Sequence, residues 1–176
     1  MAEPVFFSFH YERDVTRAWQ VRNSWVTQSG EAEAFDDRGL REAVKRNDER
    51  AIRDAINRGI RETSVTAVLI GAETAQRPWV LYEIARTLER GNALLGIYIH
   101  NIKCMQTRKN DKKGANPFRF VDVEVDEGGI FTERWVTKSL WEVYGESIPM
   151  FDWVNDEGYE NLTDWIDQAV SNCPWS

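Results

Sequence analysis

The fold is decided by the stretch Val65-Thr-Ala-Val-Leu-Ile-Gly-Ala-Glu-Thr-Ala-Gln-Arg-Pro-Trp-Val-Leu-Tyr-Glu-Ile84. Its first part, Val65 to Ile70, is an apolar run of strand length that is rich in β-branched side chains. A strand that is covered on both faces, as in a parallel sheet, has this composition. Gly71 ends the run, and Pro78 stands where a helix can start, because proline fits the first helical position. The stretch therefore predicts a buried strand followed by a helix.

The predicted helix has an apolar stripe and a second, chemically different face. The stripe consists of Val80 or Leu81, Ile84 and Leu88. Trp79 and Glu83 are four residues apart, so they share the second face. This helix begins at the carboxyl end of a strand, where open α/β sheets bind ligands. A solvated charge paired with Arg86 or Arg90 is the commoner role for a helical glutamate. We expect Glu83 to lie at the rim without a buried partner and to add little stability.

Two further apolar runs of strand length, Val5 to Phe9 and Ala93 to Ile99, lie on either side of this unit. Helical periodicity separates the runs, from Val15 to about Trp25 and again from Ala51 to Ile60. Alternation of strands and helices implies parallel pairing with right-handed crossovers. We therefore predict an α/β, three-layer, flavodoxin-like fold with a central parallel sheet of about five strands. The first strand should be central and adjacent to Val65–Ile70.

The remaining elements are less clearly marked, and the chain from about residue 103 onward forms an extended C-terminal part of one domain, 1–176. Short strands are expected around Ala34-Phe35, at Phe120 to Val125 as an edge strand, and at Pro149 to Trp153. A closing helix is expected at Tyr159 to Ala169. The pattern does not decide whether Leu40 to Lys45 is a separate helix. Lysines and arginines dominate Lys103 to Lys113. We expect that segment to be a mobile, solvated loop whose deletion leaves the melting temperature nearly unchanged.

Composition excludes several classes of function. The 22 basic and 29 acidic residues give a net charge of −7, which argues against a nucleic-acid partner. No apolar run approaches the ~20 residues that span a bilayer, and no signal peptide is visible. Cys104 and Cys173 are expected to be free thiols in a cytoplasmic protein. The glycine-rich dinucleotide fingerprint, the P-loop and the G-x-S-x-G elbow are absent, and His10 and His100 lack partners at metal-ligand spacing, so no metal site is expected.

The segment Trp79-x-x-x-Glu83 resembles the Trp-x-x-x-Glu segment of TIR (Toll/interleukin-1 receptor) domains, in which the glutamate is catalytic in members that cleave NAD. Four longer stretches are similar to the TIR-like proteins of bacterial Thoeris anti-phage systems, the ThsB family. They are Val5-Phe-Phe-Ser-Phe-His10, Gln20-Val-Arg-Asn-Ser-Trp-Val26, Thr63-Ser-Val-Thr-Ala-Val-Leu-Ile-Gly-Ala-Glu-Thr74 and Glu89-Arg-Gly-Asn-Ala-Leu-Leu-Gly-Ile-Tyr-Ile-His-Asn-Ile-Lys103. The resemblance covers most of the chain, from about Pro4 to about Trp165.

This resemblance implies that Glu83 is the catalytic residue of an enzyme that takes NAD as a substrate and needs no separate cofactor. The substrate-binding residues that it implies are Phe7, Ser8, Phe9, His10 and Trp79. The product would be a signal nucleotide, a cyclic ADP-ribose isomer or an ADP-ribose conjugate, which acts on a separate effector protein. A phage component would be the trigger, and a second copy of the chain is a further expected partner. Two alternatives stay open: a TIR-type interaction module without catalysis, and a domain that senses a nucleotide without turning it over.

Overall fold

A computed structural model describes residues 3–29, 38–128 and 134–175. Strands and helices alternate through the first hundred residues, and a smaller antiparallel pair follows. In chain order the elements are β1 (Val5–Ser8), α1 (Val15–Ser29), α2 (Arg38–Arg46), α3 (Glu49–Arg61), β2 (Val65–Ile70), α4 (Pro78–Arg90), β3 (Ala93–Tyr98), β4 (Asp122–Asp126), β5 (Trp135–Ser139), α5 (Leu140–Tyr144), β6 (Met150–Asp152) and α6 (Gly158–Ser171). The α/β fold predicted from the sequence is confirmed.

The main sheet has four parallel strands in the order β1-β2-β3-β6. Val5 pairs with Val65 and Val65 with Ala93, so the first three strands start in register. The adjacency of β1 and β2 is confirmed. β1 lies at the edge of this four-stranded sheet rather than at its centre. The strand predicted around residues 34–35, which would have been the fifth, lies outside the described residues.

Local sequence signals explain where the helices begin and end. The Asp48 side chain accepts a hydrogen bond from the Ala51 backbone N–H and so caps α3, while Pro78 occupies the first turn of α4. Gly91 ends α4 with a φ of 82°, a left-handed conformation that glycine adopts without a Cβ clash. The segment that periodicity left undecided is helix α2, and it buries Leu40.

The two faces of β1 pack against different layers. Val5, Phe7 and Phe9 belong to the core that contains residues of α1 and α6. Phe6, one position out of phase, packs with residues of α2 and α3. Because side chains alternate along a strand, Ser8 must lie on the same face as Phe6. This places the Ser8 hydroxyl on the side of the sheet that α4 covers.

The C-terminal part differs from its predicted form in two ways. First, the strand near 120–125 does not join the main sheet, because β4 pairs antiparallel with β5 in a separate two-stranded sheet. Second, the basic segment 103–113 is tied to the core, although its lysines are exposed as expected. Asp111 forms an ion pair with Arg13, with 2.8 Å between Oδ2 and Nη2. Gly114 lies so close to β2 that an added Cβ would be 1.9 Å from the Gly71 carbonyl oxygen. These contacts count against a freely mobile loop, whereas the unchanged melting temperature on deletion of the segment stays a prediction.

Candidate active site

Two fully buried polar side chains meet where β1 ends and α4 begins. The Ser8 hydroxyl donates a short hydrogen bond to Glu83 Oε2, and both residues have 0% exposure. Parallel pairing brings Ser8 opposite Val68 of β2, and the helix that follows β2 carries Glu83 back over the same face of the sheet. The structure therefore places Ser8 and Glu83 in direct contact, and their roles in substrate binding and catalysis stay predictions.

Tyr11 completes this cluster, and the sequence analysis missed it. Its hydroxyl donates to Glu83 Oε1 over 3.5 Å, so each carboxylate oxygen faces one hydroxyl group. The Tyr11 ring packs on the Phe9 ring with 4.3 Å between centroids. A polar aromatic residue in the turn directly after β1 was the available signal. We call Ser8, Tyr11 and Glu83 the carboxylate cluster.

Burial controls the protonation of this cluster. Removal from water raises the pKa of Glu83 to about 8, and the hydrogen bonds from Ser8 and Tyr11 oppose that rise. At neutral pH the carboxyl group is therefore mostly protonated. The sequence expectation of a rim carboxylate without a buried partner is wrong, because Ser8, a residue of a strand 75 positions away, covers Glu83 and bonds to it.

His10 lies next to the cluster with 4% exposure. Its Nδ1 accepts a hydrogen bond from the Arg13 backbone N–H over 3.3 Å, and its Nε2 lies 3.9 Å from Glu73 Oε2. Burial lowers the pKa of His10, and the nearby Arg77 guanidinium lowers it further. Both effects favour the neutral imidazole, and the hydrogen bond that Nδ1 accepts favours the tautomer with its proton on Nε2.

The other predicted substrate contacts are more widely spread. Phe7 points into the α1 and α6 core, away from Ser8. Phe9 shares that core but reaches the cluster through its contact with Tyr11. Trp79 is half-buried against α3, where its ring packs edge-on against Tyr82 at 5.8 Å and lies 5.9 Å from the Arg53 guanidinium. The structure thus brings Ser8 and Glu83 together and places Phe7 and Trp79 outside the immediate cluster.

An array of ion pairs, which we call the ionic clamp, lies at the same rim. Arg17 Nη1 lies 3.2 Å from Asp14 Oδ1, and Arg17 Nε donates to the Ile102 carbonyl over 2.9 Å. Arg13 bridges Asp111 to Glu73, whose Oε1 lies 3.3 Å from Arg13 Nη1. The clamp therefore joins the segments that follow β1, β2 and β3, and Arg13 belongs to the turn that carries Tyr11.

Other features of the surface lie away from this rim. A cleft of about 210 Å³ between α3 and α4 is lined by Asn57, Ile60, Arg61, Arg86 and Arg90, and Glu83 does not line it. Within the described ranges, no three His, Cys, Asp or Glu side chains converge as metal ligands. Every described helix is too short or too polar to cross a bilayer. Neither Cys104 nor Cys173 forms a disulfide bond within the described part of the chain.

Comparison with known proteins points to one family. A family model described as "Thoeris protein ThsB, TIR-like domain" matches residues 6–103, which include all three residues of the carboxylate cluster. A Bacillus cereus (strain MSX-D12) protein is 34% identical over 94% of this chain and 100% of its own length. That relative carries the name "Putative cyclic ADP-D-ribose synthase ThsB1".

Proposed function

The chain belongs to the ThsB family of TIR-like Thoeris proteins, and from this premise we propose that it is an NAD-processing enzyme. It cleaves the bond between nicotinamide and ribose, with Glu83 as the catalytic carboxylate. It then forms a signal nucleotide, a cyclic ADP-ribose isomer or an ADP-ribose conjugate, that activates a separate defence effector when a phage component is sensed. The observation that carries the proposal is the carboxylate cluster, a buried glutamate held by two hydroxyl groups.

The chemistry needs one well-placed carboxylate. When the bond breaks, its electron pair leaves with the nicotinamide nitrogen, and positive charge develops on the ribose carbon and ring oxygen. A carboxylate fixed in a dry site stabilises that charge more strongly than one in water. Nicotinamide leaves as a neutral molecule, so the reaction requires no strong general acid. This accounts for a site built around Glu83 alone, where glycosidases use two carboxylates.

The raised pKa of Glu83 fits a cationic substrate. Glu83 in the free enzyme favours the neutral acid, because ionising a buried carboxyl group is costly. A nicotinamide cation beside it favours the ionised form, so NAD binding at pH 7 should release a proton. Activity at low substrate concentration should accordingly rise with pH up to about 8, as the free enzyme loses that proton.

Burial of the cluster also bears on the acceptor. Water would give ADP-ribose, whereas a hydroxyl or ring nitrogen of the same molecule gives a cyclic product and a second molecule gives a conjugate. Glu83 and Ser8 both have 0% exposure, so neither water nor NAD reaches the carboxylate until the side chains that cover it move. Which acceptor then reacts depends on whether the complex with NAD excludes water, and a high share of cyclic product or conjugate over ADP-ribose would indicate that it does.

The test compares the wild type with Glu83→Gln, which keeps the shape of the side chain and removes its charge. We expect nicotinamide release to fall about a hundred- to a thousandfold, as for the loss of other preorganised electrostatic groups. Glu89→Gln is the matched control, because Glu89 is on the same helix but is exposed and paired with Arg86. Nucleotides are profiled in phage-infected cells and with purified protein. Full activity of the Glu83→Gln protein would remove the enzymatic proposal and favour a TIR-type interaction module.

A further inference from the structure

Tyr11 is the member of the carboxylate cluster that connects it to the surface. Of the two hydroxyl groups that face Glu83, the one from Ser8 belongs to a fully buried strand residue. Tyr11 is only partly buried, so its side chain connects the buried carboxylate with the protein surface. Its ring lies on Phe9, which anchors it to the core at the end of β1.

The turn that carries Tyr11 is held in place from both sides. The Asp14 backbone N–H donates to the His10 carbonyl over 2.9 Å, which closes the turn. Arg13, two residues after Tyr11, is bound to Glu73 and Asp111. These contacts fix the backbone from which the tyrosine side chain extends. The position of its hydroxyl opposite Glu83 is therefore set by the fold rather than by the single hydrogen bond.

We propose that Tyr11 is a positioning residue, whose hydroxyl orients Glu83 and whose ring keeps water away from the carboxylate. This role rests on the proposed function. The separation of 3.5 Å is long for a hydrogen bond between two oxygens, which are usually about 2.7–2.8 Å apart. Hydrogen bonds to an ionised acceptor are shorter and stronger than neutral ones. The contact should thus tighten when Glu83 loses its proton, which is the state that the reaction uses.

The other charged and titratable groups around Glu83 do not account for a stabilisation of its ionised form. His10 at the end of β1 is held neutral by burial and by Arg77. Arg13 lies in the turn that carries Tyr11, and Arg77 acts on the neighbouring His10, but no cation is among the groups that shift the pKa of Glu83. Guanidinium groups keep their charge over the whole range in which Glu83 titrates. A change in the Glu83 titration on removal of the Tyr11 hydroxyl therefore reports that hydroxyl.

The experiment uses two variants of Tyr11 that should act in opposite directions. Tyr11→Phe removes the hydroxyl and keeps the ring, so the pKa of Glu83 should rise by about half a pH unit, about a threefold loss of carboxylate at pH 7. Tyr11→Ala also admits water, so the pKa should fall towards its ordinary value. The pKa is read from the infrared carboxyl band of the full-length protein, with the Glu83→Gln spectrum subtracted. Tyr82→Phe is the control, because its hydroxyl donates to Asn57 on the other side of α4.

The same variants are then compared in turnover. In Tyr11→Phe we expect the pH range over which kcat/KM rises to shift to higher pH. At high pH, kcat/KM should return to the wild-type value. In Tyr11→Ala, the share of ADP-ribose among the products should increase, because water reaches the site. Tyr82→Phe should match the wild type in both measurements. An unchanged Glu83 titration in Tyr11→Phe would overturn the positioning role. Because that titration needs no substrate, it decides the role of Tyr11 even if the protein proves not to process NAD.

Discussion

Glu83 and Asp14 are both fully buried near the carboxyl ends of the parallel strands, but they meet different partners. Glu83 is hydrogen-bonded to two hydroxyl groups, from Ser8 and Tyr11. Asp14 meets the Arg17 guanidinium, which is itself 4% exposed and is tied to the Ile102 carbonyl. Burial raises the pKa of both carboxyl groups, and only for Asp14 does a neighbouring cation counteract it.

Asp14 has the environment of a group that stabilises the fold, whereas Glu83 has that of a reactive group. A buried charge that is paired can hold segments together, and the Asp14–Arg17 pair ties the start of α1 to the Ile102 carbonyl after β3. A buried acid without a cation costs stability when it ionises, and such groups cluster at functional sites. The ionic clamp and the carboxylate cluster are therefore neighbouring regions with opposite expected effects on stability.

The largest expected effect comes from breaking the buried pair. Arg17→Leu leaves the Asp14 carboxylate buried without its cation, which typically costs about 3–5 kcal/mol in the free energy of unfolding. Urea unfolding of the purified protein measures this loss. The double variant Asp14→Asn with Arg17→Leu should recover part of it, because the unpaired charge is then gone. A loss below about 1 kcal/mol in Arg17→Leu would mean that Asp14 takes up a proton instead of remaining charged.

Much of the site-forming half could be predicted, because its signals are local. The apolar run of β2, Pro78 at the start of α4 and Gly91 at its end each act within a few residues. The burial of Glu83 could not be predicted in this way, because its partner Ser8 comes from a strand 75 positions earlier. Helical periodicity places Glu83 on a polar face, and only the packing of β1 turns that face inward.

The C-terminal half was predicted less well for a related reason. Composition showed correctly that the lysines of 103–113 are solvated, but one residue among them, Asp111, determines how the segment packs. Its partners Arg13 and Arg17 lie in a helix and turn nearly a hundred residues earlier. The β4 strand was expected as an edge of the main sheet, and its alternating pattern fits equally well the separate pair with β5. A period of two predicts a strand but not which sheet it joins.

The next largest effect comes from the carboxylate cluster, where a substitution should increase the free energy of unfolding. The folded-state pKa of Glu83 is about 8, against 4.5 for an unperturbed glutamate, so its contribution to stability is complete below pH 4.5 and is lost as pH rises to 8. At about 1.4 kcal/mol per pH unit, roughly 3 kcal/mol is lost by pH 7. Glu83→Gln cannot ionise, so it should be more stable than the wild type at pH 7 and increasingly similar to it towards pH 5. Urea unfolding across this range measures both proteins, and Glu89→Gln should follow the wild type. Parallel stability curves for Glu83→Gln and the wild type would contradict the prediction.

The smallest effect is expected at the exposed pair of the ionic clamp, Asp111 with Arg13. Burial opposes ionisation of Asp111, but the Lys112 backbone N–H and the Arg13 side chain outweigh it and lower its pKa. Asp111→Asn should therefore destabilise the protein at pH 7, by about 0.5–1 kcal/mol, because the Arg13 partner is 40% exposed and water screens the pair. About 1 M salt should narrow the difference, since the Debye length is then only about 3 Å. Lys112→Gln, an exposed neighbour in the same segment, is the matched control and should change stability little. A loss in Asp111→Asn as large as that in Arg17→Leu would show that the whole clamp acts as one buried unit, and the contrast between its buried and exposed pairs would then fail.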